Sequence, residues 1–163
     1  MSFEFNADEV FEMAEQIERN GAEFYREAAG TVIGDPAGRD FLIELARMEE
    51  EHEDVFSDIR KSLTDEQRKS TVADLNNEAI GYLRSLADTR VFFQKEIDTS
   101  SMEEILKAAI MTEKDSIAFY LGMKEMVPER GGKDKIEQII QEEMSHIRLL
   151  SQELITRRSG LAG

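Results

Sequence analysis

The stretch "IEQIIQEEMSHIRLLSQEL", residues 136–154, decides how the chain folds. Ile136, Ile139, Glu143, His146, Leu150 and Leu154 recur at three- and four-residue steps, the stripe by which an amphipathic α-helix faces a core. Two of those six positions hold a carboxylate and an imidazole. A helix that aims Glu143 and His146 where its isoleucines point must bury something that makes them tolerable there.

Working outward, three more helices of the same kind emerge. Asn6, followed three residues later by Glu9, reads as a capping box. It opens a helix over about 7–29 with the stripe Phe11, Ala14, Glu18, Gly21, Tyr25 and Ala28. Asp35 and Pro36 then start a second helix, 36–63, carrying Leu42, Leu45, Glu49, His52, Phe56, Ile59 and Leu63. Ser100 or Ser101 opens a third, 101–127, with Leu106, Ala109, Glu113, Ile117 and Tyr120, then Met123 and Met126; Pro128 and the Gly131–Gly132 pair end it. The quoted helix spans about 134–156, and residues 157–163 read as a frayed tail. The crossover 64–100 contains a shorter amphipathic segment with Leu75, Ala79, Leu83 and Leu86 on one side. No stretch alternates as a strand does.

The two hairpins repeat one another. "ERNGAEFY" (18–25) lies over "EKDSIAFY" (113–120), and "EEEH" (49–52) over "EMSH" (143–146). Glu18 to Glu49 is 31 residues, and Glu113 to Glu143 is 30. The expected fold is therefore an all-α four-helix bundle, two copies of one hairpin related by a pseudo-twofold axis, in a single domain over 1–163.

Six inward polar residues follow from this register: Glu18, Glu49, His52, Glu113, Glu143 and His146. His52 and His146, the chain's only histidines, each sit three residues after an inward glutamate, on the same helix face. Four ionised carboxylates in a bundle core are intolerable alone, since even one unpaired buried charge costs several kcal/mol. Two divalent cations cancel four carboxylates and leave two neutral imidazoles as donors. Four oxygen-bearing groups with two nitrogens suit iron or manganese better than zinc. One Glu from each of two helices with Glu-x-x-His from each of the others is an arrangement already known for dimetal sites in bundles. Tyr25 and Tyr120 each lie two turns from a ligand candidate, on its face: they either donate to a metal-bound carboxylate or help redox chemistry, or are core tyrosines whose hydroxyls are satisfied elsewhere.

The other acids are expected only to solvate polar faces: Glu15, Glu23 and Glu27 on the first helix, Glu50, Glu51, Glu53 and Asp54 on the second, and Glu142 on the fourth. Met48, Met111, Met123, Met126 and Met144 read as core filler, and no pattern signals haem.

Composition agrees with a cation-binding protein. The net charge of −15 disfavours nucleic acid and anionic membranes, both of which would repel the chain. There is no cysteine, which excludes disulfides, thiol catalysis and iron–sulfur centres within these residues. No apolar run approaches the ~20 residues of a membrane span, and no basic segment precedes an apolar one near residue 1. The expected location is cytoplasmic.

With these residues in view, the sequence resembles the rubrerythrin-like branch of the ferritin-like superfamily. The likeness rests on "IERNGAEFY" (17–25), "ARMEEEH" (46–52), "TEKDSIAFY" (112–120) and "IIQEEMSH" (139–146), with "MKEMVPERGGKDKIEQII" (123–140) between. It implies a ferritin-like bundle of two hairpins joined by a long crossover. It also implies two irons held by Glu18, Glu49, His52, Glu113, Glu143 and His146, with Glu49 and Glu143 bridging. Members of this family reduce hydrogen peroxide at a di-iron centre, and others oxidise ferrous iron, so the implied reactants are peroxide or dioxygen.

The sequence departs from the family pattern twice. Without cysteine there is no rubredoxin-type electron-delivering domain, so a reductase needs an external electron donor. The third helix also lacks the additional Glu of rubrerythrins proper, with Ile110 one turn before Glu113 and Ser116 or Ile117 one turn after. Three readings stay open: a redox enzyme, an iron-oxidising and sequestering protein, and a bundle whose site is purely structural. The crossover "GYLRSLADTRVFF" (81–93) is a candidate homodimer contact as well as a cover for the bundle.

Overall fold

The computed structural model describes residues 6–69, 78–88, 98–127 and 132–160. Six helices account for nearly all of them: α1 (Ala7–Thr31), α2 (Pro36–Ser62), α3 (Asp65–Lys69), α4 (Glu78–Asp88), α5 (Met102–Met126) and α6 (Lys133–Arg158). Among the described residues there is no strand, and no helix is long and apolar enough to cross a membrane.

Local chemistry sets where the helices begin. The Asn6 side chain accepts from the Glu9 backbone N–H at 2.9 Å, and Glu9 accepts in return from the Asn6 N–H at 3.2 Å. Asp35 caps α2 through the Gly38 N–H at 2.9 Å, with Pro36 at the first turn, where a missing N–H costs nothing. Ser101 caps α5 through the Glu104 N–H at 3.2 Å. Gly132 precedes α6 with φ of 98°, a left-handed conformation; a Cβ there would also lie 2.9 Å from Ile59 Cγ2.

The four long helices bury their stripes in two apolar clusters. One gathers Phe11 and Ala14 of α1, Phe56 and Ile59 of α2, Phe119 and Met123 of α5, and Ile136 and Ile139 of α6. The other gathers Phe24 and Ala28 of α1, Leu42 and Leu45 of α2, Leu106 and Ala109 of α5, and Leu150 and Leu154 of α6. Following each chain direction, α1 and α6 run from the first cluster to the second, and α2 and α5 run from the second to the first. Two consecutive long helices, α2 and α5, are therefore parallel, which a tight turn cannot connect. The long crossover follows from that requirement, and this is the ferritin-like arrangement of a four-helix bundle.

The crossover contributes α3, which pattern reading overlooked. It is capped by Thr64, whose hydroxyl accepts from the Gln67 N–H at 3.1 Å while Gln67 accepts from the Thr64 N–H at 2.9 Å. It also contributes α4, which packs on α5. Leu83 is buried there, and Tyr82 Oη donates to the Ala118 carbonyl at 2.6 Å. Leu75, Pro128 and Gly131 lie outside the described residues.

Two expectations are corrected. Arg157 and Arg158 belong to α6 rather than to a frayed tail. Arg157 pairs with Asp35 at 2.8 Å and Glu153 at 2.8 Å, and Arg158 with Glu103 at 2.9 Å, so charge continues the helix past the last buried leucine. Met111 and Met144 are not core filler: they are 51% and 49% exposed. Each lies off its helix's stripe, Met144 about 100° round from Glu143. Met123 and Met126 are buried, and Met48 is half-buried.

The crossover contact gives a test. A Cβ at Gly122 would lie 2.6 Å from Tyr82 Cδ1 and 2.9 Å from Leu83 Cδ2. Gly122→Leu is expected to force α4 off α5 and destabilise the protein by ~1–3 kcal/mol. Urea unfolding with proteolysis of α4 measures it; unchanged stability and protection would refute the packing.

Candidate metal centre

Between the two apolar clusters each long helix presents its polar stripe residues. Glu18 on α1, Glu49 and His52 on α2, Glu113 on α5, and Glu143 and His146 on α6 meet at one level, none more than 4% exposed. All six candidates are brought together. They form two overlapping groups that could each hold a metal ion: Glu18, Glu49, His52 and Glu143, and Glu49, Glu113, Glu143 and His146. Glu49 and Glu143 are common to both, and each group has its own histidine and its own further glutamate.

Hydrogen bonds leave much of this layer unpartnered. Seven buried side-chain atoms make no hydrogen bond: Glu18 Oε2, Glu49 Oε1, His52 Nδ1, Glu113 Oε2, both Glu143 oxygens and His146 Nδ1. Several are close without being aligned, such as His52 Nδ1 at 2.7 Å from Glu143 Oε1 and His146 Nδ1 at 3.1 Å from Glu49 Oε1. The imidazole rings are nearly parallel, 16° apart in plane with centroids at 5.4 Å. Buried polar atoms are almost always partnered. Carboxylate and imidazole lone pairs gathered around shared space are the donor set of a carboxylate-rich dimetal site, and the residues fit two such ions.

The tyrosines close the layer from both ends. Tyr25 Oη on α1 donates to Glu113 Oε1 of α5 at 2.5 Å, and Tyr120 Oη on α5 donates to Glu18 Oε1 of α1. Each phenol thus occupies one oxygen of a glutamate whose other oxygen, Oε2, is unpartnered. Burial, then the neighbouring Glu113, raises the Tyr25 pKa well above its ordinary value; burial, then Glu18, does the same to Tyr120. Both phenols keep their protons.

Glycine makes room for one shared carboxylate. A Cβ at Gly21 would lie 2.8 Å from Glu49 Oε2. A mid-helix glycine costs about 0.8–1.0 kcal/mol relative to alanine, and here it lets Glu49 approach the α1 backbone. The matching position in the second hairpin is Ser116, buried, with its hydroxyl turned back to the Thr112 carbonyl at 3.1 Å.

Glu142 corrects the sequence reading, which left it solvating a polar face. Its Oε2 lies 2.7 Å from His52 Nε2, and its Oε1 accepts from Gln138 Nε2 at 3.0 Å. The signal was available: an imidazole with one nitrogen in a buried site needs a partner for the other, and the residue before Glu143 is turned toward α2. Of the remaining acids, Glu23, Glu27, Glu51 and Asp54 are exposed as expected of polar faces, whereas Glu15 is only 12% exposed along its side chain. Glu53 and Glu50 pair with Arg19 and Arg26 across α1 and α2, Glu15 pairs with Arg60, and Glu51 pairs with Arg47.

A ferritin-like bundle with a buried, shared carboxylate–histidine layer defines the class. A candidate ferritin-like diiron-carboxylate protein from Thermotoga maritima has the same fold, with a TM-score of 0.67 and 22% sequence identity over 91% of this chain and 94% of that one. No curated protein matches the sequence. The chain belongs to the rubrerythrin family, whose model matches residues 9–154.

Protons stand in for cations when the layer is metal-free. Burial, then the charges of Glu113, Glu143 and Glu18, holds the Glu49 carboxyl well above the ordinary carboxylate range; burial, Glu113 and Glu18 do the same to Glu143. Burial pulls His52 down, but Glu18, Glu49 and Glu142 outweigh it and push it up to about 9. His146 is raised against burial by Glu113, Glu143 and Glu49. Each raised group stabilises the fold fully below its unfolded pKa, roughly 4.3 for Glu and 6.5 for His, and loses that contribution as pH rises through the folded value.

Glu113 and Glu142 shift the other way. Burial raises both, but the close approach of Glu143, His146 and Tyr25 to Glu113, and of Gln138 and His52 to Glu142, outweighs it, so their contributions are complete above the ordinary glutamate range. Metal-free protein should therefore lose thermal stability between about pH 5 and pH 9, while saturating Mn2+, which replaces the protons, should flatten or reverse the slope. Tm measured with chelator and with Mn2+ across that range tests this. A metal-free Tm that is flat or rises with pH would contradict it.

Proposed function

We propose that this chain is a di-iron carboxylate redox protein, with Glu18, Glu49, His52, Glu113, Glu143 and His146 as ligands and a diferrous centre that reacts with hydrogen peroxide or dioxygen. The observation that carries this reading is the set of seven unpartnered buried donor atoms shared between two overlapping ligand groups. Glu49 and Glu143, common to both groups, would be shared by the two ions, and Glu18 with His52, and Glu113 with His146, would complete the two sets. Four oxygen-bearing side chains with two nitrogens favour iron, with manganese as the other ion this donor set accepts. Bound as a pair, ferrous ions supply the two electrons that, with two protons, reduce one hydrogen peroxide to two waters.

The protein's own contribution is positional. Tyr25 and Tyr120 hold Glu113 and Glu18 by one oxygen each, leaving the other for an ion and keeping either carboxylate from swinging into the apolar clusters. The aliphatic and aromatic residues on both sides exclude bulk water, which strengthens every electrostatic interaction in the layer. Turnover as a peroxide reductase requires an external electron donor.

A second reading, ferrous iron oxidation and sequestration by the same residues, is favoured by one observation. These 163 residues hold no cysteine, and a ferroxidase takes its electrons from the iron it oxidises, so no partner donor is needed.

Stopped-flow mixing of diferrous protein with hydrogen peroxide and, separately, with dioxygen tests the proposal. Peroxide is expected to oxidise two irons per chain at least tenfold faster than dioxygen does. Faster oxidation by dioxygen, with continued uptake of added ferrous iron, would establish the second reading, and inertness toward both would refute redox function.

A further inference from the structure

The pseudo-twofold relation between the hairpins pairs Glu18 with Glu113, Glu49 with Glu143, His52 with His146, and Tyr25 with Tyr120. It fails at the residue before each shared glutamate, which is Glu142 on α6 and Met48 on α2. From this break we propose that the two metal positions are inequivalent: Glu142 makes the position at His52 the tighter one, and it fills first. The inference rests on the ligand reading above.

The geometry is one-sided. His52 faces the site through Nδ1, 2.7 Å from Glu143 Oε1 and 3.5 Å from Glu18 Oε2, and meets Glu142 Oε2 through Nε2 at 2.7 Å. Gln138 holds the other Glu142 oxygen at 3.0 Å. With Nε2 as the protonated nitrogen donating outward to that carboxylate, the Nδ1 lone pair would be presented inward with the ring angle fixed. His146 has no such support. Its shortest contact with each carboxylate runs through Nδ1, to Glu49 at 3.1 Å, Glu113 at 3.5 Å and Glu143 at 3.5 Å.

Among the described residues no carboxylate is hydrogen-bonded to His146 Nε2 as Glu142 is to His52. The place equivalent to Glu142 holds the Met48 thioether, packed against the cluster of Leu42, Leu45 and Leu150. A carboxylate partner on a metal-bound imidazole changes metal affinity about 10–100-fold. Glu142 is a positioning residue in this account: it acts on the ion only through His52. It is also 44% exposed along its side chain, so its replacement leaves the buried clusters alone.

Titration of Co2+ into the metal-free chain against a chromophoric chelator reads both affinities and the visible spectrum of each bound ion. Two neighbouring cations repel in any dimetal site, so the variants decide rather than a stepwise curve alone. Glu142→Ala is expected to weaken the first step about 10–100-fold while the second step and the stoichiometry of two stay unchanged. Glu142→Asp should restore most of the loss, and Met48→Glu should strengthen the second step. At one equivalent, His146→Ala should keep the wild-type spectrum and His52→Ala should lose it. If two Co2+ ions bind but Glu142→Ala leaves both affinities unchanged or lowers them equally, the inequivalence is wrong and the ligand reading stands. If wild-type chain fails to bind two ions, the ligand reading falls and the inequivalence with it.

Discussion

A carboxylate taken out of water costs several kcal/mol unless a cation goes with it, and this bundle buries four at one level. That constraint organises the rest. The apolar residues divide into two clusters because the layer lies between them, each helix passing from one cluster through its glutamate to the other. The tyrosines stand where the layer meets the clusters, each satisfying one carboxylate oxygen with a phenol whose remaining surface is hydrocarbon. Gly21 in the middle of α1 gives up helix propensity so that Glu49 can come close.

Duplication supplies the symmetry such a layer needs. One hairpin presents three candidate donors, and two hairpins face to face present six, with Glu49 and Glu143 common to both groups that could hold an ion. Parallel α2 and α5 are the topological consequence, and the crossover with α3 and α4 connects them. The symmetry is incomplete at two places. Glu142 supports His52 while Met48 stands in the matching place, and Gly21 is matched by Ser116.

The stripes that face the core were legible in the sequence because hydrophobic periodicity reports which side chains share a helix face. Glu18, Glu49, His52, Glu113, Glu143 and His146 all lie on those stripes, and the structure brings all six to one level. What the pattern did not carry were contacts made from off the stripe. Glu142 lies about 100° from Glu143, and its bond to His52 depends on how α6 packs against α2, which periodicity within one helix cannot report. Met111 and Met144 have the residue type of core filler, but their helix angle turns them outward. Arg157 and Arg158 looked like tail residues because the apolar stripe ends at Leu154, yet ion pairs to Asp35 and Glu103 hold them in α6. The five-residue α3 was too short to show a period at all.

The central claim is that the polar layer is built for two ions and not for a hydrogen-bond network. Anomalous diffraction at the iron edge, from crystals loaded with ferrous iron without oxygen, tests it most directly. Two iron peaks about 3.5–4 Å apart are expected. One should be bounded by Glu18, Glu49, His52 and Glu143, the other by Glu49, Glu113, Glu143 and His146. Iron found only at surface carboxylates, with the six buried side chains hydrogen-bonded to one another, would contradict it.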